Sequence, residues 1–368
     1  MKKKLILAGG GHAHLLTLAH MREITSSGHE VTLVSPSEFH YYSGMGPGML
    51  GGIYEPEDIS FNIKKMTEAG GGSFVRDSVE KVDPMEKTLF LRSGNRLKYD
   101  MVSFNTGSMV SFKTTVSNST DIFTVKPVEN LFIARNRLIQ LCRNKKKSVA
   151  IIGGGPAGAE IAGNIHSLCK KANLIHPEIN LYCDGFMSRF SSYFSSLVKK
   201  SLVEKNVRIN EQFSATYIEQ GLIRFDNGKT VKPDLIFIAT GVAPSPVFKN
   251  SNMETGPDGG LSVNRFLQSI NHPEIFGGGD CIHFKDLPLD KAGVYAVREA
   301  SVLLKNILAF LGNNILQPFY TDNDYLMILN TGNRNGILKK GRCVFEGKAA
   351  FILKDYIDRR FMKKFGSG

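Results

Sequence analysis

Two glycine-rich turns, each entered by an apolar strand and left by a helix-permissive run, predict an α/β fold with two Rossmann-like, dinucleotide-binding units. The first turn is Gly9-Gly10-Gly11-His12-Ala13-His14 after Leu5-Ile6-Leu7-Ala8, and the second is Gly153-Gly154-Gly155-Pro156-Ala157-Gly158 after Val149-Ala150-Ile151-Ile152. Two later strands leave through Thr-Gly, at Thr106-Gly107 and Thr240-Gly241, and Ile275-Phe276 runs into Gly277-Gly278-Gly279-Asp280. One glycine turn is weak evidence; two, with the same exits in the same order, are specific.

A length of 368 residues allows two or three domains and a large core. Apolar content of 42% and charged content of 22% are those of an ordinary globular enzyme. Met1-Lys2-Lys3-Lys4 before an apolar run imitates a signal peptide, but the run ends in the glycine turn and falls short of an h-region of roughly 7 to 15 residues. No apolar run reaches the roughly 20 residues of a membrane span. The net charge of +12 points to an anionic partner such as a dinucleotide or anionic lipid, or to a merely basic surface. No nucleic-acid-binding module is present, so nucleic acid is not the expected partner. The five cysteines, Cys142, Cys169, Cys183, Cys281 and Cys343, form no C-x-x-C pair. Their scatter predicts a reducing, cytoplasmic setting and no dithiol-disulfide centre.

The elements follow in order. Gly9 makes the tight turn and Gly11 lets the backbone close on a pyrophosphate at the helix N-terminus. The third glycine of the motif is replaced by His14. Strand Val31-Thr32-Leu33-Val34 then ends at Ser35, with Glu38 nearby, where an acidic ribose ligand is usual. From His40-Tyr41-Tyr42-Ser43 to Gly51-Gly52 the chain is too rich in glycine for an ordinary helix, and is expected to lie along a flat ligand or to form a surface loop. Short strands follow at 73–76 and 88–91, then a strand from Asp100 to Thr106-Gly107, and a helix from Pro127 to Cys142. The second turn keeps Gly153, Gly155 and Gly158, and its ribose position holds Cys183 and then Asp184, which favours NADH over NADPH. Asp280 is placed to accept from ribityl or ribose hydroxyls. Beyond it a helix from about Lys291 to Leu311 points free amides and its positive dipole end toward the ligand, with Lys291 adding charge. In the tail, Leu353, Ile357, Phe361 and Phe365 recur at helical spacing among Lys354, Arg359, Arg360, Lys363 and Lys364. That stripe either docks on its own domain, the favoured reading, or lies on anionic lipid at the inner face of a membrane.

Taken together, the chain resembles the two-dinucleotide-binding-domain flavoproteins: type II NADH dehydrogenases, sulfide:quinone oxidoreductases and pyridine nucleotide-disulfide oxidoreductases. Gly9 to His14, Tyr42-Ser43-Gly44-Met45, the stretch from Lys291 to Arg298, and Lys354-Asp355 through Met362 resemble the flavoprotein module sometimes fused ahead of selenide, water dikinase. The resemblance implies an NAD(P)H domain (113–246) inserted into a discontinuous FAD domain (1–112 and 247–325), followed by a C-terminal segment (326–368). It implies that Gly9, Gly11, His12, Ala13 and Ser35 hold FAD together with Tyr42, Ser43, Thr106 and Gly107. Gly279 and Asp280 at the ribityl chain, Gly293 and Val294 at the next helix, and the Val79 backbone at adenine complete that set. Gly153, Gly155, Gly158 and Asp184 are implied for NAD(P)H, with Glu160 at its nicotinamide end. Lys291 and His40 are the candidate catalytic groups, His40 as a proton donor to the acceptor.

The expected activity is hydride transfer from NAD(P)H to flavin N5 and then to a quinone or other acceptor. A sulfide- or selenide-oxidising flavoprotein is the second reading, with Cys343 as its thiol. A non-enzymatic flavin-binding subunit is the third, kept open by Ser35 and Cys183 at the two ribose positions. His12 and His14 lack a third ligand, so no metal is expected.

Overall fold

The computed structural model describes residues 2–111, 115–116 and 119–366. The expected boundary at 112/113 falls outside them.

The first apolar run forms β1 (Lys4–Ala8), and the glycine turn feeds α1 (His12–Ala19). The chain returns through β2 (Glu30–Ser35) and β3 (Ser73–Arg76), then β4 (Met101–Phe104), all parallel. The stretch after β2 departs from the expected loop, because Ser43–Met45 forms a 3₁₀ turn and Gly46–Leu50 a short α-helix, its residues buried. The glycines are there for contact. A Cβ on Gly46 would press on Val128 and Leu131, one on Gly48 on Tyr54, and one on Gly51 on Asn164. This short helix is therefore wedged against the second unit rather than lying free on the surface.

The second unit repeats the plan. β5 (Ile122–Thr124) leads to α2 (Asn130–Cys142), and β6 (Ser148–Ile152) enters the second turn. α3 (Pro156–Lys171), β7 (Glu178–Tyr182), β8 (Val207–Asn210) and β9 (Leu235–Ile238) follow, giving a parallel sheet of order β5-β9-β6-β7-β8. The chain then goes back to the first sheet. β10 (Ile275–Gly277) pairs with β4, completing the order β10-β4-β1-β2-β3. The chain crosses between the sheets beside itself: Ser108–Val110 and Val242–Pro244 pair as an antiparallel ribbon.

Register puts the carboxyl ends level. Ala8 stands opposite Val34 and Phe104, and Phe104 opposite Gly277, so the residues after each strand meet along one edge, where ligands of open parallel sheets bind. In the second sheet Ile152 stands opposite Tyr182 and Ile238 in the same way. The central strands β1, β4, β6 and β9 are buried on both faces and, Ser103 apart, apolar in their interiors, as parallel sheets require, while the edge strands β3 and β8 are partly exposed.

α4 (Gly293–Leu311) packs along α1. The C-terminal segment forms an antiparallel sheet, β11 (Met327–Gly332), β12 (Asn335–Lys340) and β13 (Cys343–Gly347), and then α5 (Lys348–Phe365). β11 lies on α3 so closely that a Cβ on Gly163 would overlap the Thr331 carbonyl. α5 covers this sheet and touches α1, so the segment bridges the two units.

The tail helix docks, but by only half of the expected stripe. Ala350, Phe351, Asp358 and Met362 are buried, with Phe361 and Phe365 partly so, while Leu353 and Ile357 face outward at 40% and 39% exposure. An ion pair lets a charged residue take the inner face. Asp358 Oδ2 binds Lys354 Nζ at 2.6 Å, and Oδ1 accepts from the Tyr42 hydroxyl at 3.0 Å.

Candidate active site

Asn105, directly after β4, joins the separate signatures. Its N–H donates to the Ala8 carbonyl at 2.8 Å, its Oδ1 accepts from the Ala13 N–H at 3.2 Å, and its Nδ2 donates to the Gly278 carbonyl at 2.5 Å. The first turn is shaped to this one residue, since a Cβ on Gly9 would overlap the Asn105 carbonyl and one on Gly11 its Oδ1. Gly9 also sits at φ +90, which glycine alone adopts freely. Sequence reasoning passed over Asn105. A signal existed in the comparison of the two copies, because Asn105-Thr106-Gly107 stands where the second unit has Ala239-Thr240-Gly241.

His14 replaces the motif's third glycine without leaving a defect. Its Nδ1 bonds the Gly9 carbonyl at 2.6 Å and its Nε2 the Ser103 hydroxyl at 2.8 Å, and burial pushes its pKa down to about 4. In the second turn Gly158 is sterically required, because a Cβ there would overlap the Gly153 carbonyl. Gly155, at the N-cap of α3, has open space on its Cβ side, with no atom within 4 Å. That turn is thus a cradle of free N–H groups at a helix N-terminus, suited to a pyrophosphate. Asp184 lies exposed just past the end of β7. Ser35 is buried at the end of β2, and Glu38 is paired with Lys64 at 3.3 Å.

Beside the first turn, His12 Nδ1 and His40 Nε2 lie 3.0 Å apart. The His12 ring stands edge-on to His40 and stacks with Phe361, and Tyr42 packs against both His12 and Phe361. Burial holds His12 down to about 4 and His40 well below the usual imidazole range, with Lys126 adding repulsion on each. Both rings are therefore neutral at pH 7. Among the described residues, His12 Nε2 and Thr106 Oγ1 are buried with no hydrogen-bond partner. Two orphaned polar atoms at the first turn and the Thr-Gly exit are what a bound polar ligand there would satisfy. Ser43 is the nearest neighbour to a Cβ on Gly293, so the 42–45 stretch meets the start of α4, whose first turn carries no acidic residue. Val79 pairs with Leu91 in a small antiparallel meander beyond β3.

The Gly-Asp corner holds two carboxylates. Glu299, on α4, accepts the Gly279 N–H at 2.5 Å, and burial raises its pKa to about 7 against that bond. Asp280 Oδ2 is 2.6 Å from Lys126 Nζ and accepts from the Ser108 hydroxyl at 2.6 Å; burial would raise its pKa, but Lys126 holds it below the usual range. Lys291 lies ahead of α4 as expected, but its ammonium is answered by Asp258 at 2.7 Å and by the Ile282 carbonyl. Cys281 is buried and donates to the Phe104 and Gly278 carbonyls, with its pKa pushed up to about 11 by burial. Glu160 lies on α3 past the second turn and accepts the Asn330 N–H at 2.8 Å. Burial raises it to about 7, opposed by the nearby Lys354 ammonium. Among the described residues no group of His, Cys, Asp and Glu is arranged to hold a metal.

The family model described as pyridine nucleotide-disulphide oxidoreductase matches residues 3–301, both glycine turns and the Gly-Asp corner included. The chain belongs to that family. It is accordingly an enzyme, a flavoprotein oxidoreductase using FAD with NAD(P)H. A type II NADH:quinone oxidoreductase of Staphylococcus epidermidis is 26% identical over 99% of this chain and 96% of its own length. The mitochondrial sulfide:quinone oxidoreductase of Dictyostelium discoideum is 23% identical over 83% of this chain and 70% of its own. Among solved structures, NDH2 from Plasmodium falciparum in complex with NADH superposes with a TM-score of 0.79 at 15% identity, covering 100% of this chain and 99% of that one. Sulfide:quinone oxidoreductase from Aquifex aeolicus gives 0.79 at 19% identity, covering 99% and 91%. These likenesses show that this pyridine nucleotide-disulphide oxidoreductase has the same two-unit fold as both.

Proposed function

We propose that the enzyme oxidises NADH at the second glycine turn and delivers the electrons, through FAD at the first, to a quinone. The observation that carries this reading is the intact second turn, three glycines opening α3 with empty space at Gly155, in a chain whose full-length relatives include a type II NADH:quinone oxidoreductase.

The FAD fit rests on the orphaned His12 Nε2 and Thr106 Oγ1 and on the glycine turn at the start of α1. The amides of Gly11 and His12 at that helix N-terminus would hold the pyrophosphate, with the Ala13 amide tied to Asn105 beside them, Ser35 would face the ribose, and Gly279-Asp280 would hold the ribityl chain. The uncapped N-terminus of α4, at Gly293 and Val294, adds positive potential beside Ser43 and Tyr42. When bound, FAD supplies the two-electron chemistry, accepting hydride from the nicotinamide and passing reducing equivalents to the acceptor. The protein's part is placement. Val79 is assigned to the adenine end, and Asp184 accepts from the NADH ribose and would repel a 2′-phosphate. Glu160, with a pKa of about 7, holds or releases a proton at neutral pH beside the nicotinamide end. His40, neutral and tied to His12, orients that ring rather than acting as a cationic acid. FAD is thus assigned to the unit of residues 1–112 and 247–325, and NAD(P)H to that of 113–246.

Docking on an anionic membrane surface from the cytoplasmic side completes the proposal. Among the described residues no helix is long and apolar enough to cross a membrane. α5 instead presents Ile352 at 65% and Tyr356 at 61% exposure beside Leu353 and Ile357, flanked by Lys and Arg. Replacing Ile352 and Tyr356 with serine is expected to abolish co-flotation with anionic vesicles while leaving the melting temperature unchanged; undiminished flotation counts against this placement.

Anaerobic titration of the yellow protein separates the activities. Rapid bleaching by NADH, slower by NADPH, followed by reoxidation with a soluble quinone, is the expected result. Bleaching only by sulfide or selenide would replace this reading with chalcogen oxidation, and bleaching by none with a flavin-carrying subunit. The chalcogen reading needs a reactive thiol at the flavin; Cys281 is buried, protonated and bonded to backbone, and Cys343 lies exposed at the start of β13 in the C-terminal sheet.

A further inference from the structure

Lys126 reaches from one unit into the other. It lies between β5 and α2, in the unit assigned to NAD(P)H, yet its ammonium sits 2.6 Å from Asp280 and 2.7 Å from the Ser108 hydroxyl, in the Gly-Asp corner of the first unit. Ser108 in turn donates to the same Asp280 oxygen at 2.6 Å. The three groups form a closed triangle, with only a quarter of the Lys126 side chain and a tenth of the Asp280 side chain exposed. A carboxylate this buried must be paired or it neutralises. A protonated Asp280 would donate from one oxygen and lose half of its acceptor capacity, which is the capacity a polyhydroxyl chain needs.

We propose that Lys126 is a positioning residue of the flavin site, contributed by the second unit, which keeps Asp280 ionised and turned as an acceptor for the ribityl hydroxyls. The inference rests on the assignment of FAD to the first turn and Asp280. It makes retention of flavin depend on a side chain that the first unit does not carry.

Several titratable groups surround Asp280. Lys126 faces it from the segment before α2, and Lys291 from ahead of α4, where Asp258 already pairs with it. Glu299 on α4 adds negative charge when ionised, and its pKa of about 7 lies within the experimental range. His12 on α1 and His40 before the Ser43–Met45 turn feel Lys126 and stay neutral through burial. Without Lys126, burial pushes Asp280 toward protonation, with Glu299 adding to the push only while it is ionised, so affinity for FAD should fall as pH falls.

The test is the dissociation constant of FAD for flavin-stripped protein, read by quenching of flavin fluorescence from pH 5.5 to 8. Wild type is expected to vary less than about twofold, and Lys126→Met to weaken about tenfold or more at the acid end, as loss of a charge-assisted bond implies. Lys126→Arg restores the wild-type profile. In Lys126→Met/Asp280→Asn, with no carboxyl left to titrate at that position, the added pH dependence disappears, which separates it from Glu299 and the histidines. Wild-type affinity and pH profile in a folded Lys126→Met would overturn the proposal, as would a pH dependence that survives in the double variant. Failure of the wild type itself to bind FAD would instead strike down the site assignment on which it rests.

Discussion

His14 and Gly158 stand at equivalent places in the two turns and meet the same crowding in different ways. Gly158 avoids the Gly153 carbonyl by having no side chain, whereas His14 turns its ring to bond the Gly9 carbonyl and Ser103. Gly158→Ala is therefore expected to weaken NADH binding about a hundredfold while FAD stays bound, measured by nucleotide titration of the yellow protein. His14→Asn loses the Ser103 partner and leaves a small void, at about 3 kcal/mol in denaturant melts at pH 7. That deficit depends on pH. The folded pKa of His14, about 4, lies below its unfolded value of 6.5, so below pH 6.5 the unfolded chain binds the extra proton and wild type loses stability as pH falls toward 4. The window is worth about 3 kcal/mol, so the two proteins should converge near pH 4. A gap that stays constant would mean that His14 is not held neutral. At this scale the glycines were readable because a φ of +90 at Gly9 or an overlap at Gly158 leaves one residue type. Asn105, Lys126 and Glu299 were not, since their roles arise from strands and loops far apart in the chain. Glu299 left a trace, as an acid on the largely apolar, core-facing side of its helix.

Among the elements, α5 shows where periodicity misleads. The apolar spacing of Leu353, Ile357, Phe361 and Phe365 marks a stripe, but a stripe does not say which part of it is covered. The inner face is decided by Lys354 and Asp358, which neutralise each other and are tied to the Gly44 carbonyl and the Tyr42 hydroxyl. The helix is thus pinned to the 42–45 stretch by polar bonds as well as by Phe361 against Tyr42. Asp358→Asn leaves the Lys354 ammonium without its counter-charge, a loss of about 3 to 5 kcal/mol for a buried pair. The expected outcome is early proteolytic cleavage after residue 340 at a temperature where the parallel sheets still resist; an unchanged digestion pattern would show that α5 is seated by apolar contact alone. The 42–52 stretch was misjudged for a related reason. Its glycines suggested a loop, but they accommodate Tyr54, Asn164 and Leu131.

At the scale of the whole molecule, most of the architecture was legible because its signals are local. Strand, glycine turn and helix occur twice within short windows, and the level carboxyl ends follow from parallel register. The closure of the C-terminal sheet over α3 and α5 over α1 was not legible, since nothing near residues 327–347 announces a partner a hundred or more residues earlier. The ribbon of Ser108–Val110 with Val242–Pro244 has a mechanical consequence. Both passages of the main chain between the sheets are bonded to each other, the 46–50 helix is wedged at the same border, and the C-terminal segment straps the far side. With three fastenings and no free hinge among the described residues, the nucleotide is expected to enter by local side-chain movement instead of clamshell closure. Small-angle scattering should give the same radius of gyration with and without saturating NADH, and a contraction of even a couple of ångströms would reveal a joint where none is drawn.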